Sequence, residues 1–199
     1  MDHYYSATPN AASDPKSVRY RVLGLDFVCT TDSGVFCRDG LDMGTRILLE
    51  ALPEDLGENI LDLGCGWGPV GVALGKKHPD AGILMTDVNE RAVALAQKNC
   101  AANGVRNATV RLSDGFENIE DSFSAIVLNP PIRAGKAVIY AMFDRARDHL
   151  TAGGALYIVI RKQQGAESAQ RYLQSIYADV ERISRDKGYW VLRCSGGEA

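Results

Sequence analysis

The 199-residue chain carries 22 Lys and Arg against 25 Asp and Glu, for a formal net charge of −3, and is 46% hydrophobic and 24% charged. That length is enough for one domain with a substantial core, and the composition is ordinary for a soluble globular protein. The acidic balance argues against a protein that holds naked nucleic acid by charge alone, though local basic patches remain possible.

Residues 1–17 are polar and contain Pro9 and Pro15, so a loosely ordered arm is expected. Val18, Tyr20 and Val22 then alternate with Arg19 and Arg21, and beyond Gly24 the residues Leu25, Phe27 and Cys29 alternate with Asp26 and Val28. This is the pattern of a β-hairpin with its arginines on the wet face. Residues 32–45 are rich in Gly and Asp and read as a long loop. A helix is expected to start near Asp42, with Ile47, Leu48, Leu49 and Leu52 as its apolar face.

From residue 60 onward strands and helices alternate. Strands are predicted at 60–63, 82–86, 108–112, 124–128 and 155–160, with helices at 69–77, 89–103, 135–150 and 166–177. Ala152-Gly153-Gly154 reads as a turn before the fifth of these strands. Segments 180–184 and 189–194 are joined only by a turn containing Lys187-Gly188 and must be antiparallel. The expected fold is therefore α/β: a doubly wound, mostly parallel seven-stranded sheet with an antiparallel C-terminal hairpin and an N-terminal β-hairpin extension. The expected organisation is an arm at 1–17 and one domain at 18–199, divided into an extension (18–58) and a core (59–199).

No apolar run approaches the length of a membrane span, and Met1-Asp2-His3-Tyr4-Tyr5 lacks the features of a secretion signal, so a cytoplasmic location is expected. Cys29, Cys37, Cys65, Cys100 and Cys194 form no Cys-x-x-Cys pair and only three histidines occur, so neither a disulfide framework nor a metal site is expected.

The stretch Ile60-Leu61-Asp62-Leu63-Gly64-Cys65-Gly66-Trp67-Gly68-Pro69 organises the chain. A buried strand runs into a glycine turn, and Pro69 suits the first turn of a helix. Strand, glycine turn and helix is how an α/β fold brings bare backbone up to a ligand. Gly66-x-Gly68-x-x-Gly71 formally matches a dinucleotide fingerprint, which keeps an NAD-dependent oxidoreductase open. In that fingerprint the strand meets the first glycine of the match, whereas here it meets Gly64. Four predicted strand ends carry polar side chains: Asp62, Asp87, Asp114 and Asn129. Ligands of doubly wound sheets bind outside these ends, and Asp87 lies at a spacing suited to a ribose-binding acid.

Written as Asp-x-Gly-x-Gly-x-Gly, the turn resembles the first motif of class I S-adenosylmethionine (SAM) methyltransferases. The resemblance implies SAM as cofactor. The turn of Asp62, Gly64, Cys65, Gly66 and Gly68 would hold its methionine part, Asp87 the ribose and Asp114 with Gly115 the adenine, with Val88, Asn89 and Asn129 as further cofactor contacts. Asn129-Pro130-Pro131-Ile132 is similar to the Asn-Pro-Pro-aromatic signature of methyltransferases that act on planar amino or amide nitrogens. Such a nitrogen is a poor nucleophile because its lone pair is delocalised. The Asn129 side-chain oxygen and the Pro130 carbonyl can accept its two N–H groups, while the rigid prolines, Pro131 included, fix that carbonyl. Ile132 replaces the usual aromatic residue, and Phe36 could supply the missing ring.

Gly34-Val-Phe-x-Arg-Asp-Gly-Leu-Asp-x-Gly-Thr45, the glycine motif and Asn129-Pro-Pro-Ile-Arg-Ala-Gly-Lys136 occur in this order. Together they resemble the small-subunit ribosomal RNA guanine-N2 methyltransferase family, in a short form without the extra N-terminal domain of its bacterial two-domain members. That resemblance implies methylation of guanine N2 in 16S ribosomal RNA. The partner is then ribosomal RNA or the small subunit, met as a monomer or homodimer, without membrane or metal. Phe36, Arg38, Ile132, Arg133 and Lys136 would be substrate contacts, and Arg161, Lys162, Arg182, Arg185 and Lys187 form a second basic group. Protein glutamine-amide or adenine-N6 methylation uses the same geometry, and a non-catalytic RNA-binding module is a further alternative.

Overall fold

The computed structural model describes residues 11–196, so the first ten residues of the expected arm lie outside the described residues. The chain begins with a two-stranded antiparallel hairpin, β1 (Lys16–Val22) and β2 (Leu25–Thr31), with Tyr20 opposite Phe27. It continues through α1 (Met43–Ala51), β3 (Asn59–Leu63), α2 (Pro69–Lys77), β4 (Gly82–Asp87), α3 (Glu90–Ala102), β5 (Ala108–Leu112) and β6 (Phe123–Leu128). The remainder is α4 (Lys136–Asp148), β7 (Leu150–Arg161), α5 (Ala166–Leu173), β8 (Asp179–Asp186) and β9 (Tyr189–Ser195). Strands β3 to β9 form one sheet in the order β5-β4-β3-β6-β7-β9-β8, parallel except for β9, which is antiparallel to both β7 and β8.

Both faces of the sheet are covered, so the central strands are mostly apolar: Ile60, Leu61, Leu63, Ile126, Val127 and Leu128 are all buried. One face packs α1, α2, α3 and the hairpin around Leu48, Trp67, Val72 and Met85. The other packs α4 and α5 around Phe143, Leu156, Leu173 and Leu192. Side chains from α3 dock the hairpin. Asn99 accepts from the Thr30 N–H (2.7 Å) and donates to the Thr30 carbonyl (2.8 Å), and Asn103 does the same for Val28 at 3.2 and 2.9 Å. Two asparagines one helical turn apart thereby act as a substitute strand along the open edge of β2.

Two elements differ from the sequence reading. The expected turn at 152–154 is part of β7: β6 advances two residues from Phe123 to Ala125 while β7 advances five from Leu150 to Ala155. The glycines loop out as a bulge, and the strand resumes. Helix α5 ends at Leu173 rather than 177, and Tyr177 donates instead to the Phe143 carbonyl at 2.9 Å.

Candidate active site

Strands β3, β4 and β5 step outward on one side and β6 resumes on the other side of β3, so the chain reverses between β3 and β6. A cavity of about 330 Å³ opens there, outside the carboxyl ends of the strands. Its wall includes Asp62, Gly64, Cys65 and Gly66 from β3 and its turn, Asp87 and Val88 after β4, Asp114 and Gly115 after β5, and Asn129, Pro130 and Pro131 after β6. Phe36 from the long loop also lines it and is 39% exposed, so it is not a core residue. The cavity thus gathers most of the candidate residues, across 79 positions from Phe36 to Gly115 and onward to Pro131.

The glycines of the turn have two separate jobs. Gly64, Gly66 and Gly115 have positive φ (71°, 55° and 52°), and a Cβ added to any of them meets nothing within 4 Å. They keep the backbone bare where the cavity needs space. Gly68 does not line the cavity: a Cβ there would come within 2.9 Å of Met85 and 3.2 Å of Ala96. Gly71 is tighter still, at 2.5 Å from Met85. Gly68 and Gly71 let α2 lie close to β4 and α3.

Two of the strand-end carboxylates, Asp62 and Asp87, also hold the backbone. Asp62 is buried and accepts from the Gly71 N–H at 2.8 Å. Burial pushes its carboxyl up to about 7, with a further upward push from Asp87. Asp87 accepts from Asn89 N–H (2.9 Å) with one oxygen and from Gly66 N–H (2.8 Å) with the other, tying the end of β4 to the glycine turn. Burial raises its carboxyl as well. Burial raises the Cys65 thiol far above its ordinary range, so it serves as a small wall residue rather than a nucleophile.

Asn129 is held in one orientation. Its Nδ2 donates to Thr45 Oγ1 at 3.0 Å and to Asp42 Oδ2 at 3.2 Å. Asp42 is the N-cap of α1, accepting from the N–H groups of Gly44 and Thr45, both at 2.9 Å, and from the Thr45 hydroxyl. A carboxylate only accepts, so the amide nitrogen of Asn129 must face it. Oδ1 is then the free end and has no partner among the described residues. In the sequence Asp42 marks the expected start of a helix, and Asp42 and Thr45 close the motif that begins at Gly34. The cap preference was visible there, but their meeting with Asn129 was not.

Five other candidate residues lie outside the cavity. Asn89 is fully buried, caps α3 and donates to the Gly34 carbonyl at 2.9 Å. Arg38 pairs with Asp14 and donates to its carbonyl at 2.8 Å, pinning the loop to the segment before β1. Ile132 packs against the core on the α4–α5 face. Arg133 and Lys136 are exposed beyond the cavity wall. Ala134, Val138 and Met142, one turn apart or nearly so, form the apolar wall that Ile132 was expected to give.

The sequence matches the family model described as Methyltransferase small domain over residues 26–193. It is 42% identical to the uncharacterized protein YbxB of Bacillus subtilis over 96% of this chain and 97% of that one. It is 37% identical to the ribosomal RNA large subunit methyltransferase G of Pseudomonas putida, covering 92% of this chain but 50% of that protein. The chain therefore spans nearly all of the Bacillus relative and about half the length of the Pseudomonas one. Among solved structures, the 16S rRNA N2 guanine methyltransferase of T. thermophilus (RsmC), in complex with AdoMet and guanosine, superposes with a TM-score of 0.82 at 27% identity. That match covers 94% of this chain and 52% of the other. A ribosomal protein L11 methylase from Lactobacillus delbrueckii shares the fold, with a TM-score of 0.67 at 18% identity.

Proposed function

The chain belongs to the Methyltransferase small domain family and is a SAM-dependent methyltransferase of class I fold; on that premise we propose that it methylates the exocyclic N2 amino group of a guanine in ribosomal RNA. The 16S molecule is the proposed target. Residues 18–58 and 59–199 act as one catalytic unit in this reading, with the α3 asparagines joining hairpin to core.

The cavity fits the cofactor on three counts. The space over Gly64, Gly66 and Gly115 would be filled by any Cβ. Asp62, Asp87 and Asp114 suit a ligand bearing ammonium and sulfonium charges and ribose hydroxyls. Three carboxylates and no Lys, Arg or His line the cavity among the described residues, a setting that repels the doubly charged pyrophosphate of a dinucleotide. SAM, when bound, supplies a methyl group activated by a sulfonium leaving group.

The orientation of Asn129 carries the reading. Its Oδ1 and the Pro130 carbonyl form a pair of acceptors on adjacent residues for the two N–H groups of an exocyclic amine. Accepting both draws the nitrogen lone pair out of conjugation with the ring and stabilises positive charge that develops on the nitrogen. No strong base is needed, because the proton leaves after the new C–N bond forms. Holding the amine still contributes the rest of the rate. Phe36, Val138 and Met142, all in the cavity wall, offer apolar surface to a planar base. The relatives named for ribosomal RNA methylation and for N2 guanine chemistry support the substrate class.

Incubation with methyl-tritiated SAM tests this. The substrates are protein-free 16S and 23S RNA, intact 30S and 50S subunits, and a cell protein fraction. Label in 16S RNA or 30S subunits, recovered as N2-methylguanosine after digestion, is the expected result. Label in 23S RNA would keep the chemistry and correct the subunit. Label confined to protein glutamine would overturn the reading.

A further inference from the structure

We infer that the tip of the β8–β9 hairpin, together with the end of β7, binds the phosphate backbone of the RNA segment next to the target nucleotide. The inference rests on the proposed function for its RNA substrate, and the location is what it adds.

The hairpin tip touches the element that holds Asn129. Helix α1 begins at Met43, directly after its cap Asp42, which binds Asn129. Lys187 Nζ lies 3.9 Å from Met43 Sδ, and a Cβ on Gly44 would sit 3.0 Å from the ring of Tyr189. The tip is thus one residue removed from the support of the proposed catalytic amide. It stands on the same rim of the sheet as the cavity, since β7 and β6 run parallel.

Cations converge at this rim. Lys162 donates its backbone N–H to the Gly188 carbonyl at 2.8 Å, joining the end of β7 to the tip. The Arg161 guanidinium lies 5.8 Å from the centroid of the Tyr189 ring, which holds it out from the sheet. Arg161, Lys162, Arg185 and Lys187 are all exposed. Among the described residues only Lys162 of these four forms an ion pair, a 3.6 Å contact with Glu167, and Asp186 is the one acid within the tip itself. Lys187 also adopts φ +47° beside Gly188 at +80°, the two positive values of a tight hairpin turn. That first position favours Asn, Asp or Gly, and a lysine there is placed against local preference. Among the described residues the ammonium at the apex of the turn has no hydrogen-bond partner other than the Met43 sulfur. These charges belong to a chain of net charge −3, so they form a local attractive surface on a protein with no overall charge attraction for RNA.

The test compares R161Q/R185Q/K187Q with wild type and with K98Q/R106Q/R145Q, which removes as many charges elsewhere on the surface. Binding of a fluorescein-labelled single-stranded RNA 20-mer is titrated at several KCl concentrations. Methyl transfer to protein-free ribosomal RNA and SAM affinity are measured in parallel. The tip variant is expected to flatten the log Kd against log salt slope by about two and to raise KM for RNA about tenfold. Its kcat and SAM affinity should match wild type, and the control variant should keep the wild-type slope. An unchanged slope and KM in the tip variant, with wild type active on RNA, overturns the surface alone. A wild type that methylates no RNA in any form overturns the function and the surface together.

Discussion

The Nδ2 of Asn129 donates to Oδ2 of Asp42 across 3.2 Å and 87 residues of chain. This bond couples the end of β6 to the cap of α1, and it decides which end of the Asn129 amide faces outward. The first prediction tests that end. Asn129→Ala removes one of two acceptors for the target amine, and kcat is expected to fall about 10²- to 10³-fold, the effect of losing one preorganised group at a developing charge. SAM affinity, measured by calorimetry, should change less than threefold. Full turnover in this variant would falsify the amino-group mechanism.

Asp42 is a positioning residue, and Asp42→Ser separates its two jobs. Serine caps a helix nearly as well as aspartate but is too short to reach Asn129. Thermal stability should hold within about 0.5 kcal/mol, while kcat falls roughly tenfold with KM for SAM unchanged. Adding Thr45→Val should bring kcat down to the level of Asn129→Ala, since all three act on one amide. Equal losses of kcat and melting temperature in Asp42→Ser would reduce Asp42 to a cap.

The two kinds of glycine predict opposite phenotypes. Gly66→Ala places a Cβ in open cavity space at φ 55°. It should cost about 1–2 kcal/mol of stability and weaken SAM binding at least tenfold. Gly71→Ala drives a Cβ to 2.5 Å from the buried Met85. It should cost about 1–3 kcal/mol by overpacking, with SAM affinity near normal in the folded fraction. Calorimetric titration beside thermal melts distinguishes them.

Asp87→Ala removes a carboxylate that fixes the Gly66 N–H and faces the cavity. Bonds to charged groups contribute roughly 1.5–3 kcal/mol each, so SAM should bind at least tenfold more weakly. Asp87→Asn should recover only part of this, because an amide presents one acceptor where the carboxylate presents two.

Asp62 predicts a dependence on pH. Its folded carboxyl is raised from 3.8 to about 7, so the folded state holds a proton that the unfolded chain releases. Its contribution is therefore full below about pH 4 and is lost as pH rises through 7, up to roughly 4 kcal/mol in all. Asp62→Asn should flatten the stability profile between pH 5 and 8. A cationic ligand favours the ionised form, so SAM binding should tighten from pH 6 to 8 with proton release. Calorimetry in two buffers of different ionisation enthalpy reads that proton directly.

Much of this protein was legible without coordinates. Apolar runs marked the central parallel strands β3, β4, β6 and β7, because a strand covered on both faces has no wet side to interrupt it. Asp62, Asp87, Asp114 and Asn129 were each visible at a strand end, and the order of such ends around one cavity follows from parallel topology. The 152–154 segment was misread because Gly-Gly marks a turn and a bulge alike, and only pairing with β6 separates the two.

What the tertiary structure alone decided were contacts between distant segments. Asn89, Gly68 and Arg38 sit in motif positions yet hold helix caps, helix packing and loop ends, since a motif fixes neighbours in sequence and says nothing of which side faces the cavity. Asp42 and Thr45 reached Asn129 only because α1 packs over the sheet beside β7 and β9, bringing its capped end to the strand tips. Local spacing carries information about local geometry, and an amide's orientation depends on whichever acceptor the fold carries to it.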